Sequence, residues 1–118
     1  MRQPIRLDKP SKYKNRKTTI DNITFDSKKE AEYYIVLKSD KRAGKIKDFE
    51  LQPEFVLQEG FSKNGKLHRP IKYIADFKVY HNDGSIEIID TKGVKTKVFA
   101  IKRKLFEFEY PDLSLKIV

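Results

Sequence analysis

Several stretches of this chain alternate apolar and polar residues, and two others carry apolar residues at helical spacing. Ile46 to Leu57 alternates, with Leu51, Pro53, Phe55 and Leu57 on one face and Gln52 and Glu54 opposite. Side chains two apart on a strand share a face, so this stretch reads as a strand. Pro53 has no amide to give a ladder, which predicts an edge strand or a bulge. Pro70 to Tyr80 reads as a second strand and Ser85 to Thr91 as a third. Asn82-Asp83-Gly84 between them is a strong turn signal. Leu113, Leu115 and Ile117 alternate and predict a last strand that closes the sheet.

Helical period begins at Ser27 and again at Thr96. Ser27-Lys28-Lys29-Glu30 fits a capping box, in which the Ser side chain caps the third amide and the Glu reaches back. This helix runs through Ala31, Tyr34, Ile35 and Lys38 to the basic Lys41 and Arg42, and Gly44 stops it. Thr96 to Glu109 sets Val98, Ile101, Leu105 and Phe108 on one stripe, which is expected to face the core. Tyr33, Tyr34, Phe99, Phe106 and Phe108 are likewise expected in the core. Thr18 to Asp26 reads as a short hairpin turning at Asp21-Asn22. Glu59 to Arg69 is polar, contains Gly60 and Gly65, and reads as a loop. The order hairpin, α, β, β, β, α, β predicts one α/β domain over 18–118, with a mixed central sheet flanked by helices. Residues 1–17 have no hydrophobic period and read as a flexible basic arm.

Composition adds a partner. The 118 residues hold 26 Lys and Arg against 17 Asp and Glu, a net charge of +9. Seven of those bases and one acid lie in residues 1–17. Such a surplus points to a polyanion: nucleic acid first, an anionic membrane surface second, and solubility alone as the bland alternative. With no cysteine, a disulfide framework, a thiol nucleophile and Cys-based metal sites are excluded. His68 and His81 are too isolated for a histidine metal cluster and read as turn or loop residues. No apolar run approaches the roughly 18–20 residues that span a bilayer, and the N-terminus shows no secretory signal. A cytoplasmic location is the expectation.

The chemistry concentrates in 73–93. In Asp90-Thr91-Lys92 the carboxylate and the ammonium share a face at the end of an apolar strand. A three-residue loop at Asn82-Asp83-Gly84 pairs His81 with Ser85 and, counting back, Asp76 with Asp90. Directly opposed residues share a face. A two-residue loop would instead pair Asp76 with Thr91 and part the carboxylates. Two facing carboxylates repel, and a lone charge in Ile74-Ala75-Asp76-Phe77 is costly to bury. A bound cation answers both problems, and all-oxygen ligands suit Mg2+ or Mn2+ rather than zinc. Glu87 falls on the other face and is expected outside the site. Lys95, Lys97, Lys102, Arg103 and Lys104 follow, either as phosphate contacts or as a solvated helix face.

Asp76, thirteen residues, and then Asp90-Thr91-Lys92 resemble the signature of the PD-(D/E)XK nuclease superfamily, with Ala75 where the Pro would stand. Phe25-Asp-Ser-Lys-Lys-Glu-Ala-Glu32, Leu51-Gln-Pro53, Tyr73-Ile-Ala-Asp-Phe77 and Lys104-Leu-Phe-Glu107 look like stretches of small phage and prophage proteins regarded as nucleases of this type. Size, basicity and element order are also similar to those of Holliday-junction resolvases. The resemblance implies a restriction-endonuclease-like core and a Mg2+-dependent endonuclease, in a bacterial or phage-infected cell. It implies Asp76 and Asp90 as metal ligands, Glu30 completing the acidic site, the Thr91 carbonyl as a further ligand and Gln52 nearby. Lys92 would orient water or stabilise charge on phosphorus. Branched DNA is the implied substrate, and a resolvase that cuts two strands symmetrically implies a homodimer. A nicking or site-specific endonuclease of the same fold and an inactive DNA-binding accessory protein remain alternatives. Glu30 could also serve only as a helix cap, and Asp90 and Lys92 only as a solvated strand end.

Overall fold

The computed structural model describes residues 16–91 and 96–118. Most of the basic arm, together with Lys92 and Lys95, lies outside the described residues; Arg16 and Lys17 are exposed. The chain opens with the expected hairpin, β1 (Thr18–Ile20) and β2 (Ile23–Phe25). Asp21 and Asn22 both take left-handed φ, 53° and 62°, as a tight two-residue hairpin turn requires.

Helix α1 spans Lys28–Arg42. Ser27 caps it, its Oγ accepting from the Glu30 amide at 3.1 Å. At the other end Gly44 has φ 77°. Its amide donates to the Lys41 carbonyl, and the Lys45 amide donates to Asp40. This pair of bonds is the Schellman arrangement, which satisfies two of the carbonyls a helix end leaves open.

A four-stranded sheet forms the centre. Its strands are β3 (Asp48–Leu51), β8 (Phe77–Tyr80), β9 (Ile86–Asp90) and β10 (Ser114–Ile117), in the order β10-β9-β8-β3. β10 runs parallel to β9, and the other pairs are antiparallel, so the sheet is mixed. Ile88 and Ile89 point to opposite faces. Ile89 joins Phe77 and Val79 under Ala31, Tyr34 and Leu37 of α1. Ile88 joins Phe55, Leu57, Tyr73 and Phe106 on the side of α2 (Lys97–Glu109). One helix therefore covers each face.

Two expected strands are each broken in two. Ile46–Leu57 divides into β3 and β4 (Glu54–Gln58), and Pro70–Tyr80 into β7 (Ile71–Ile74) and β8. β4 pairs with β7, and β3 with β8. The same register runs through both pairings and sets Gln52 across from Asp76 and Pro53 across from Ala75. The ladder lapses there because Pro53 has no amide and Gln52 takes φ 51°. Two bonds still bridge the gap: Gln52 N–H to the Asp76 carbonyl, 2.8 Å, and Ala75 N–H to the Pro53 carbonyl, 3.1 Å. Asp76 thus sits in a kink and not in the middle of a regular strand.

Two further expectations are corrected. Glu59–Arg69 is no loop: it contains β5 (Phe61–Lys63) and β6 (Lys66–His68), an antiparallel hairpin. Its turn, Asn64-Gly65, has φ 52° and 74°. Strands of three residues without apolar alternation left no periodic signal. On α2 the buried stripe is rotated from the expected one. Phe106 is fully buried, with Phe99, Leu105 and Tyr110 packed beside it. Val98, Ile101 and Phe108 are exposed, Phe108 at 79%. The helix carries two apolar stripes, and the one with more rings faces the Phe55 and Tyr73 rings. Phe106 meets them at centroid distances of 5.0 and 5.7 Å, in the edge-on packing aromatic rings favour.

Candidate active site

The expected register between β8 and β9 is the one observed. Phe77 pairs with Ile89 and Tyr80 with Ile86. The His81 amide donates to Ser85 at 2.9 Å, and Gly84 takes φ 92°. This is a three-residue loop with glycine in the left-handed position. The ladder ends at Phe77 and Ile89, and the Asp76 amide also turns to the Ile89 carbonyl, 3.0 Å away. Asp76 and Asp90 therefore come to the same end of the sheet, one at the kink and the other at the last residue of β9.

Both carboxylates are buried, Asp76 at 1% and Asp90 at 0% exposure. A carboxylate survives such burial only with strong polar partners. Thr91 supplies Asp76 with two. Its amide and its hydroxyl both donate to Asp76 Oδ2, at 2.7 and 2.8 Å. Tyr73 supplies Asp90 with one, from its phenol to Oδ2 at 2.5 Å. Burial first, then this bond, then the charges of Asp90 and Asp76 push the Tyr73 phenol far above its ordinary range, while Arg103 on α2 opposes them. Tyr73 is accordingly a neutral donor at any ordinary pH. It was no expected site residue, because a regular strand would point it away from even-numbered Asp76. The kink at 75–76 removes that parity.

Glu30 is also buried, at 3%, in the first turn of α1. The neighbouring Lys29 ammonium donates to the Val118 carbonyl at 2.6 Å, and the Val118 amide donates to the Asp90 carbonyl at 3.0 Å. The start of α1 is thus tied to the strand end that bears Asp90. Gln52 is half-buried directly across from Asp76. Glu87 lies outside the cluster and meets His81 at 3.2 Å. His68 stacks on Phe61 in the β5–β6 hairpin. Lys97 and Lys104 are exposed on α2, and Lys102 and Arg103 are half-buried.

A family model described as "Protein of unknown function (DUF1064)" matches residues 10–118. The chain belongs to this DUF1064 family. No curated protein and no solved structure matches it. In this DUF1064 chain the donors at the strand ends are hard oxygens: two buried carboxylates, with the Thr91 carbonyl next in sequence. Such a donor set fits a divalent cation of the magnesium class. Among the described residues, no three His, Cys, Asp or Glu side chains are gathered as a ready-made cage. Among the same residues, no helix is long and apolar enough to cross a membrane.

Proposed function

We propose that this chain is a Mg2+- or Mn2+-dependent DNA endonuclease of the PD-(D/E)XK type with a restriction-endonuclease-like core. The observation that carries the reading is the burial of Asp76 and Asp90 together at one end of the central sheet, in a chain with a net charge of +9. Two buried carboxylates in a strongly basic chain suit a phosphodiester held next to a cation. A plain DNA-binding domain has no use for them. The mixed sheet with one helix on each face supports the proposed core.

Asp76 and Asp90 would hold the cation, with the Thr91 carbonyl and Glu30 completing the set. When bound, it would supply Lewis acidity and a more acidic water. Thr91 and Tyr73 orient the two carboxylates, a positioning role that raises the precision of the site. Lys92, outside the described residues, is the proposed cation beside the attacking water. Water attacks phosphorus in line, the bond from phosphorus to the leaving sugar oxygen breaks, and that oxygen departs with a proton. Lys95, Lys97, Lys102 and Arg103 are proposed phosphate contacts.

Branched DNA is the proposed substrate, cut by a homodimer in the cytoplasm. The exposed apolar residues of α2 support the dimer: Val98, Ile101 and Phe108 lie on the helix surface away from the Phe106 core. An antiparallel copy would set Val98 against Phe108 of the other chain. The lack of a three-ligand cage among the described residues favours a second reading, an accessory protein that binds DNA on an inactive nuclease fold. A panel of junction, flap, nicked and linear duplex DNA, with and without Mg2+, separates them. Cleavage of branched DNA only with metal is expected. Binding without cleavage in either metal would leave the accessory reading.

A further inference from the structure

The β5–β6 hairpin takes no part in the candidate site, yet its construction is specific. Its register sets Phe61 across from His68, Ser62 from Leu67 and Lys63 from Lys66. Directly opposed residues share a face, and so do residues two apart. One face therefore carries Phe61 and His68, rings stacked at 4.5 Å, followed toward the tip by Lys63 and Lys66. The other face carries Ser62 and Leu67, with Leu67 71% exposed. Every residue of the two strands except His68 is exposed.

Two features are unfavourable for an idle hairpin. Like charges directly opposed destabilise a strand pair, and the two-residue Asn64-Gly65 turn locks Lys63 and Lys66 into that opposition. A large apolar side chain at Leu67 gains nothing in water. The paired charges become favourable when a polyanion lies against the face that carries Lys63 and Lys66. The base of the hairpin is closed tightly enough to hold it out as a unit. A Cβ added at Gly60 would lie 3.0 Å from the His68 carbonyl oxygen and 3.1 Å from Pro70 Cδ, so the two arms approach closely at the glycine. Between Glu59 and Arg69 the charges are Lys63, Lys66 and Arg69 against Glu59 alone.

We infer that the β5–β6 hairpin is a duplex-DNA contact arm, in which Lys63 and Lys66, side by side on one face of the ribbon, together grip backbone phosphate. A two-stranded ribbon has the width the major groove admits. The inference rests on the proposal that the chain acts on DNA, and it places one contact with that DNA outside the catalytic cluster.

The test compares the full chain with Lys63→Ala/Lys66→Ala, using junction and linear duplex DNA by anisotropy in EDTA across a salt series. Cleavage is followed in Mg2+, and thermal unfolding is measured on both proteins. The double variant is expected to bind at least about tenfold more weakly near 0.1 M salt. The slope of log K against log salt should fall by about two, one for each lost phosphate contact. Its melting temperature should equal or exceed that of the unsubstituted chain, because a repulsion has been removed. Affinity and slope unchanged in the double variant overturn the inference, as does failure of the unsubstituted chain to bind DNA. Loss confined to anionic phosphatidylserine vesicles, with DNA binding intact, overturns it in favour of a membrane contact. Hairpin-dependent binding without cleavage upholds the arm and removes the nuclease proposal, so the two fail separately.

Discussion

One oxygen of Asp76 receives both the amide and the hydroxyl of Thr91, at 2.7 and 2.8 Å. The residue after Asp90 thereby fixes the carboxylate of the neighbouring strand, and the two acids are held as one unit. Thr91→Val keeps the shape and the amide but removes the hydroxyl. A hydrogen bond to a buried charged group contributes about 1.5–3 kcal/mol, and urea unfolding should show a loss of that order. The same variant should lower cleavage through a displaced Asp76.

Tyr73 plays the matching part for Asp90. Tyr73→Phe retains the ring against Phe99 and Phe106 and deletes only the phenol. Asp90 loses that phenol donor, and a cost of about 1–3 kcal/mol is expected by the same measurement. Because Tyr73 and Thr91 serve different carboxylates of one cluster, the double variant should depart from additivity.

The dimer proposal has its own readout. Phe108→Glu places a charge in the exposed α2 stripe, where the fold itself gains little from the ring. Sedimentation velocity should show a dimer for the unsubstituted chain and a monomer for the variant, and only the unsubstituted chain should have a melting temperature that rises with protein concentration. A monomeric unsubstituted chain would remove the homodimer.

The β1–β2 turn is tied to α1 through Asp21, whose carboxylate accepts from the Lys38 ammonium at 2.5 Å and the Tyr34 phenol at 2.9 Å. The Lys38 bond first, then the Tyr34 bond, hold the Asp21 pKa below its usual 3.8. A lowered folded-state pKa means the contribution is present above 3.8 and is lost as pH falls through the lower folded value. Unfolding measured from pH 6 down to pH 2 should therefore be less acid-sensitive in Asp21→Asn than in the unsubstituted chain.

Much of this architecture could be read in the residues. Caps and turns were legible because their chemistry is local: Ser27 with Glu30, Lys41-Arg42 with Gly44, and Asn82-Asp83-Gly84 act through bonds spanning a few residues. The turn at Gly84 then propagated its register to Asp76 and Asp90. Three things were hidden. The kink at Gln52 and Pro53 depends on the pairing of two distant segments, and it alone brings Tyr73 to Asp90. The β5–β6 hairpin is stabilised by its turn and a ring stack, not by an apolar face. The choice between the two stripes of α2 was made by the Phe55 and Tyr73 rings across the core, which period alone does not register.

The most direct test of the central claim is metal-dependent cleavage by the unsubstituted chain and by Asp90→Asn, on junction DNA titrated with Mg2+ or Mn2+, with binding followed separately in EDTA. The proposal predicts cleavage that requires metal, a rate at least about a hundredfold lower in Asp90→Asn, and binding that persists in both proteins. An unsubstituted chain that binds junction DNA but leaves it intact in either metal would contradict it, and so would Asp90→Asn cutting at the full rate.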